Sequence, residues 1–225
     1  MDEFERLRAL IPDKFDLIKT KKVLVVGLGG VGGYAVEALV RSGISDITIV
    51  DYDVVDITNI NRQIIALHST IGKYKTEVFK NRINDINPDC SVTVKNMKID
   101  DNNINLLFEK DYDYVVDACD TISVKKELIR ICLRKNIKLI SSMGTAKKLD
   151  PTKLEVVDVR KTSYDPIAKI IRKMVKEEKI SKKVWVISST EKPADTKDNV
   201  LGSTAFVPST AGLLCAKFII NDIIK

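Results

Sequence analysis

Lys22-Val23-Leu24-Val25-Val26-Gly27-Leu28-Gly29-Gly30-Val31-Gly32-Gly33 is the stretch that decides the fold. Lys22 to Val26 is a short β-branched run that reads as a strand and ends in glycine. Beyond it, Val31, Tyr34, Ala35, Ala38 and Leu39 recur at i, i+3, i+4, i+7 and i+8, the stripe of a helix with one buried face. Gly43 ends that helix, and Ile47-Thr48-Ile49-Val50-Asp51 reads as a second strand. Strand, glycine turn, helix and strand in this order form a βαβ unit. Within it, Gly27, Gly29, Gly30 and Gly32 let the backbone approach a phosphate, and the helix N-terminus offers unpaired N–H groups to the anion. Asp51 follows about 20 residues on, where an acid accepts hydrogen bonds from ribose hydroxyls. The motif predicts a bound adenine nucleotide and does not separate NAD from ATP.

The same alternation continues downstream. Residues 73–86 read as a helix, 91–98 as a strand, 104–108 as a short helix and 114–117 as an apolar strand. A helix over 123–135 and a strand over 138–142 follow. The last third is less regular: strands at 154–159 and 184–188, a helix at 166–177, a polar loop over 190–203 and a closing helix over 208–224. This order predicts an α/β fold, Rossmann-like, with a mostly parallel central sheet and helices on both faces.

Composition narrows the class. Hydrophobic residues make up 44% and charged residues 30% of 225 residues, enough for a sizeable core and a soluble surface. No apolar run is read as approaching the roughly 20 residues that span a bilayer, so no membrane association is expected. The N-terminus lacks the basic start and apolar stretch of a secretory signal. Cys90, Cys119, Cys132 and Cys215 are widely spaced, with no CxxC pair, which points to neither a zinc site nor a disulfide framework. A cytoplasmic setting is expected. Of the lysines and arginines, 18 fall in 125–183 against 7 acids, a net +11 that leaves the rest of the chain at −5. That segment is either a solvated face or a surface for RNA.

The cofactor question turns on residues 53–75. Asp53, Asp56, Thr58, Asn59, Asn61, Arg62 and Gln63 crowd together, and Gly72-Lys73-Tyr74-Lys75 follows. Hydride transfer needs no such fixed cations, whereas a triphosphate under attack does, because negative charge must be neutralised and pyrophosphate held. Asp120, just past the strand 114–117, supplies a hard oxygen ligand suited to Mg²⁺. Each of Arg62, Lys75 and Asp120 alone would pass for an ordinary surface charge. With the glycine turn they predict ATP and Mg²⁺ as cofactors and themselves as the catalytic set.

Gly27-x-Gly-Gly-x-Gly32, Asp51-x-Asp53, Thr58-Asn59-x-Asn61-Arg62-Gln63, Gly72-x-x-Lys75 and Asp117-Ala-x-Asp120 together resemble the HesA/MoeB/ThiF adenylating superfamily, relatives of ubiquitin-activating enzymes. The resemblance implies that Asp51 contacts the ribose, that Asn59, Arg62 and Lys75 contact the phosphates, and that Asp120 holds magnesium. It also implies a homodimer, whose N-terminal arginine, reaching a neighbouring subunit's nucleotide, maps near Arg6 or Arg8. Further matches run from Asn61 through His68 to Gly72, then Ile86-Asn87-Pro88, Ser141-Ser142-Met143-Gly144, Lys148-Leu149-Asp150-Pro151, residues 161–166, Ser189-Thr190-Glu191 and Phe206-Val207-Pro208. This whole-length pattern is similar to the branch that dehydrates threonylcarbamoyladenosine in tRNA.

The expected architecture is then one ThiF-type adenylating domain over 1–225, with an ATP-binding core at about 20–145 and a substrate-side portion at about 146–225. The implied partner is a tRNA bearing threonylcarbamoyladenosine, and the implied chemistry runs through an acyl adenylate without an enzyme nucleophile. Cys215 lies in an apolar helix and reads as core, in keeping with that. The alternative in the same superfamily adenylates the C-terminus of a ubiquitin-like sulfur-carrier protein, which would bring a sulfur-transfer partner. An NAD-dependent oxidoreductase is the rival from another class. His68, the sole histidine, reads as a surface residue, with general base and tRNA contact as the alternatives; Trp185 reads as core packing, and Tyr164 as a residue able to stack on a base.

Overall fold

The computed structural model describes residues 2–195 and 201–225. Two short helices, α1 (Glu5–Leu10) and α2 (Phe15–Lys19), lead into β1 (Lys22–Val26), α3 (Gly32–Arg41) and β2 (Asp46–Asp51). Then come α4 (Lys75–Ile86), β3 (Ser91–Asn96), β4 (Tyr114–Asp117), α5 (Ile122–Lys135) and β5 (Lys138–Ser142). The chain closes with β6 (Leu154–Asp158), α6 (Pro166–Glu177), β7 (Trp185–Ser189) and α7 (Phe206–Ile223).

The seven strands form one sheet in the order β3-β2-β1-β4-β5-β7-β6. Every pairing is parallel except β6 with β7, which is antiparallel. From β1 the strands run outward to β2 and β3 on one side; from β4 they run to β5 and then the β7–β6 pair on the other. The winding of the chain therefore reverses between β1 and β4, and the loops leaving their carboxyl ends diverge into a crevice, the place where such sheets bind ligands.

Side-chain alternation along the strands builds a core on each face. Val23 and Val25 of β1 pack with Ile47 and Ile49 of β2 under α3, α4 and α7. Leu24 and Val26 point the other way, to Val124, Leu128 and Ile131 of α5. On that second face α6 packs Ile171 and Met174 against Ile129 and Val186. The expected α/β architecture with helices on both faces is the one observed.

The differences have local causes. Residues 53–55 and 72–75 pair as extended backbone, with Val55 N–H donating to the Lys73 carbonyl and Lys75 N–H to that of Asp53, so α4 begins at Lys75 rather than residue 73. The short helix expected at 104–108 is 3₁₀ over Ile104–Glu109, kinked at Phe108. In α7, Pro208 sits inside the first turn, where a missing N–H goes unnoticed, so the helix starts two residues earlier than read. Helices α1 and α2 escape sequence reading because they are too short for a periodic stripe. The loop expected at 190–203 falls partly on 196–200, outside the described residues.

Helix α7 also corrects the reading that no stretch is long and apolar enough to span a bilayer: by length and composition it is the one such helix among the described residues. Its role in the fold is that of a core helix, with Ala211, Cys215 and Ile219 fully buried. Gly212 lets it lie directly on α3, since an added Cβ would overlap the Val31 carbonyl and come within 2.9 Å of the Ala35 nitrogen.

Candidate active site

The crevice is closed tightly at its base by glycine. Gly27 has a φ of +89°, in the left-handed region, and a Cβ there would sit 2.7 Å from the Ala118 carbonyl oxygen. The loops after β1 and β4 thus touch where only hydrogen fits. Gly32 is required for a related reason, because its Cβ would overlap the carbonyl of Gly27.

Asp51, at the carboxyl end of β2, ties this loop to its own strand. Its carboxylate accepts Leu28 N–H at 2.7 Å and Asp53 N–H at 2.9 Å. Each oxygen retains a lone pair for a ligand hydroxyl. Next along the chain, Asp56 and Asn59 cap a 3₁₀ turn over Ile57–Asn59 reciprocally, Asn59 Oδ1 accepting Asp56 N–H at 3.1 Å and Asp56 accepting Thr58 N–H at 2.8 Å. That turn fixes the approach of Arg62, whose Nη1 donates to the Thr58 carbonyl at 2.9 Å and to Asn61 Oδ1 at 2.8 Å. Lys75 opens α4 from a buried position, 4% exposed, and its Nζ donates to Asp53 Oδ2 at 2.8 Å. The carboxylate of Asp53 is therefore the counter-ion of Lys75.

Beneath the opposite wall lies a buried ion pair. Lys125 of α5 donates to both oxygens of Asp117 at 3.1 Å, and Ser141 adds a hydroxyl at 2.5 Å. Asp117 also accepts Cys119 N–H at 3.2 Å, which shapes the turn that presents Asp120. Burial would lower the Lys125 pKa, but the Asp117 charge and hydrogen bond outweigh it and raise it, so the ammonium stays charged. Asp120 itself is exposed, with only a 3.4 Å contact from Thr121 Oγ1.

These elements enclose a cavity of about 390 Å³, within the range of ligand pockets. It brings together Gly27, Gly29, Gly30, Asp51, Asp53, Asn59, Arg62, Lys75 and Asp120; Gly32 does not line it and serves the packing of the turn. The wall also contains residues that sequence reasoning did not assign to the site: Tyr52, Gln63, Lys98, Cys119, Thr145 and Pro208. Tyr52 follows Asp51 directly, and the Asp53 charge foremost, then burial, Asp120 and Asp51, raise its phenol pKa. Gln63 was already in the quoted run, and its neighbourhood to Arg62 was the available signal. Pro208 stands in a stretch matched to the family without a place in the site, and Thr145, just past the matched residues 141–144, carries no signal of its own.

Two observations test the cavity against a nucleotide. The Gln63 side chain is 7% exposed, lines the cavity, and its Oε1 has no hydrogen-bond partner. A buried amide oxygen left so costs about 1–3 kcal/mol unless a ligand satisfies it. Gly29 and Gly30 leave the floor free of Cβ atoms beside the N-terminus of α3, where anions bind. For a metal the donor set is sparse: among the described residues no group of three His, Cys, Asp or Glu converges. The single exposed carboxylate of Asp120 in the cavity lining has the chemistry of a Mg²⁺ site, since Mg²⁺ takes one or two carboxylates and completes its shell with ligand oxygens and water.

The remaining candidates fall elsewhere. Cys215 is fully buried in α7, its thiol pushed up to about 12 by burial. Cys119 does reach the cavity, but burial and then the Asp117 charge push its thiol far up, so it stays protonated. His68 is exposed and does not line the cavity. Trp185 packs against Phe218, with the ring centroids 5.8 Å apart and the planes tilted. Arg8 turns back on its own chain, 2.8 Å from Asp2 and 4.8 Å from the Phe15 ring, while Arg6 is exposed.

A glycine turn at the sheet's switch point, facing two cations and an exposed acid, defines a nucleotide-binding α/β protein of the Rossmann type. The ThiF family profile matches residues 4–216, and the chain belongs to that family. It is 42% identical over 234 residues to the tRNA threonylcarbamoyladenosine dehydratase of Bacillus subtilis, covering 96% of this chain and 92% of that protein. The Escherichia coli dehydratase is 39% identical over 195 residues, covering 86% and 70%. The crystal structure of the E. coli enzyme in complex with ATP superposes with a TM-score of 0.92 at 35% identity, covering 99% of this chain and 93% of that one.

Proposed function

We propose that this chain is an ATP-dependent adenylating enzyme that dehydrates, and so cyclises, threonylcarbamoyladenosine in tRNA. The observation that carries the reading is the single cavity in which the glycine turn meets Arg62, Lys75 and Asp120. A likeness to dehydratases over nearly the whole chain supports the substrate. Residues 1–225 work as one adenylating domain, and the antiparallel β6–β7 edge and α6 supply the substrate side.

In this reading the glycine turn cradles the phosphates and Asp51 accepts the ribose hydroxyls. Asn59, Arg62, Gln63 and Lys75 hold the phosphate chain, and Asp120 is the protein ligand of Mg²⁺, which when bound adds positive charge against the phosphates. The threonyl carboxylate of the substrate attacks the α-phosphorus of ATP and pyrophosphate leaves, giving an acyl adenylate. The neighbouring carbamoyl group then closes on the activated carbonyl, gives up a proton and expels AMP, so that the nucleoside loses one water overall. Ring closure within one nucleoside is effectively unimolecular, so alignment and charge suffice and no enzyme nucleophile takes part. The states of Cys119 and Cys215 accord with that. Lys169, Lys173 and Lys176, exposed along α6, form a surface for the tRNA phosphates. The enzyme acts in the cytoplasm as a homodimer, with Arg6 the freer of the two N-terminal arginines to reach a partner.

Labelled ATP tests the reading: AMP should form only when tRNA carrying threonylcarbamoyladenosine is added. AMP formation with a ubiquitin-like carrier protein, and none with the tRNA, would replace it by carrier adenylation. Preference for NAD over ATP would replace it by an oxidoreductase.

A further inference from the structure

Tyr164 has a φ of +54°. A bulky side chain seldom adopts the left-handed region, which is strained and persists where the surroundings impose it. Asn136 and Lys179, two of the other three non-glycine residues with positive φ among those described, sit just past the ends of α5 and α6, where that conformation closes a helix. Tyr164 closes nothing: it stands before Asp165, the N-cap of α6. Its ring contributes little to the core, since the residue is 53% exposed.

Tyr164 is tied through its neighbour Asp165 to a segment of the cavity wall. Asp165 Oδ1 caps α6 through Ala168 N–H, and its other oxygen, Oδ2, accepts Gly144 N–H at 2.9 Å. Thr145 and Ala146, the next two residues, line the cavity. Lys192 Nζ lies 5.5 Å from the Tyr164 ring centroid. Its neighbour Glu191 is anchored to the same segment, its carboxylate accepting Leu149 and Asp150 N–H at 3.0 Å. The backbone carbonyl of Glu191 takes the ammonium of the buried Lys148. Both halves of the pair are thus pinned to residues 144–150.

We propose that Tyr164 and Lys192 form a stacking platform for a nucleobase flanking the modified adenosine, with Lys192 also available to the adjoining phosphate. An unpaired base offers a π face to an aromatic ring, and enzymes that work on a base within RNA hold its neighbours in this way. The platform rests on the tRNA reading above and deepens it: Tyr164 orients the RNA strand, while the nucleotide cavity performs the chemistry.

The test uses the full chain with Tyr164→Gly, which removes the ring and also relieves the backbone, so the variant keeps its fold; Tyr164→Phe restores a ring. Affinity for an anticodon stem-loop is read by fluorescence anisotropy, alongside KM for modified tRNA and for ATP. Tyr164→Gly should weaken RNA binding and raise the KM for tRNA about tenfold, the scale of one lost base stack. Its KM for ATP and its Tm should not fall out of the wild-type range, and Tyr164→Phe should recover most of the loss. RNA affinity and tRNA KM within twofold of wild type in Tyr164→Gly would overturn the platform. If the wild-type protein binds the stem-loop but leaves threonylcarbamoyladenosine unchanged, the dehydratase reading fails, and the anisotropy comparison still decides the platform. No RNA binding by the wild type overturns both.

Discussion

Replacing Lys125 with methionine tests whether the buried pair under the β4–α5 turn holds the acid side of the site in place. Asp117 is fully buried, and Lys125 is its only cationic partner among the described residues, at 3.1 Å from both oxygens. Methionine fills much of the lysine volume but leaves the carboxylate without a counter-charge. Breaking such a pair from one side costs about 3–5 kcal/mol. The hydroxyl of Ser141 and the N–H of Cys119 remain as donors, so the lower end, about 3 kcal/mol, is expected. For a chain of this size each kcal/mol moves Tm by about 2–4 °C, giving a fall of about 6–12 °C. Differential scanning calorimetry would read it. Adding Asp117→Asn to the variant removes the stranded charge and should return part of the loss. Because Asp117 also sets the Cys119 turn, KM for ATP should rise in Lys125→Met while the RNA affinity stays put. A Tm within about 2 °C of wild type, under 1 kcal/mol on the same scale, would refute the reasoning.

Asp120→Ala should lower kcat/KM for the ATP-dependent reaction by about a hundredfold or more, with Tm unchanged, since Asp120 is exposed and makes one long contact; near-normal turnover in the folded variant would remove it from the metal site. Glu37 is held by Arg41 at 2.7 Å and by Arg82 at 2.7 and 3.0 Å. Burial alone would raise its pKa, but the hydrogen bonds from Arg82 and Arg41 outweigh burial and lower it. The stabilisation is therefore present above the ordinary carboxylate range and lost as pH falls through the lowered value. Glu37→Gln should be less stable than wild type by about 2 kcal/mol at pH 7, and the two melting curves should converge on acidification below about pH 4; a constant gap down to pH 3 would contradict it. Changing Lys169, Lys173 and Lys176 to Glu should weaken tRNA binding and flatten its salt dependence by a slope of about 2–3; unchanged binding would make α6 a solvated face.

The central βαβ unit was legible because each step has a short-range cause. The β-branched run from Val23 to Val26 reads as a strand buried on both faces, and Gly27 and Gly32 after it are demanded by close backbone contacts. The charged set was legible too, since Arg62 and Lys75 are positioned by local caps and turns. The division of labour within it was not. Asp53 reads in sequence as one more site acid, and only the fold reveals that it neutralises Lys75. Asp117 reads as part of a motif, yet its partners Lys125 and Ser141 come from the next helix and the next strand. The far wall, Thr145 with Pro208, depends on α7 lying across α3, a contact that rests on Gly212 and leaves no periodic signature.

The most direct measurement is nucleoside mass spectrometry of tRNA carrying threonylcarbamoyladenosine after incubation with this protein, ATP and Mg²⁺. The account predicts that the modified nucleoside loses one water, with AMP released in equal amount and no change when ATP is omitted. An unchanged nucleoside in the presence of a folded, ATP-binding protein would contradict it.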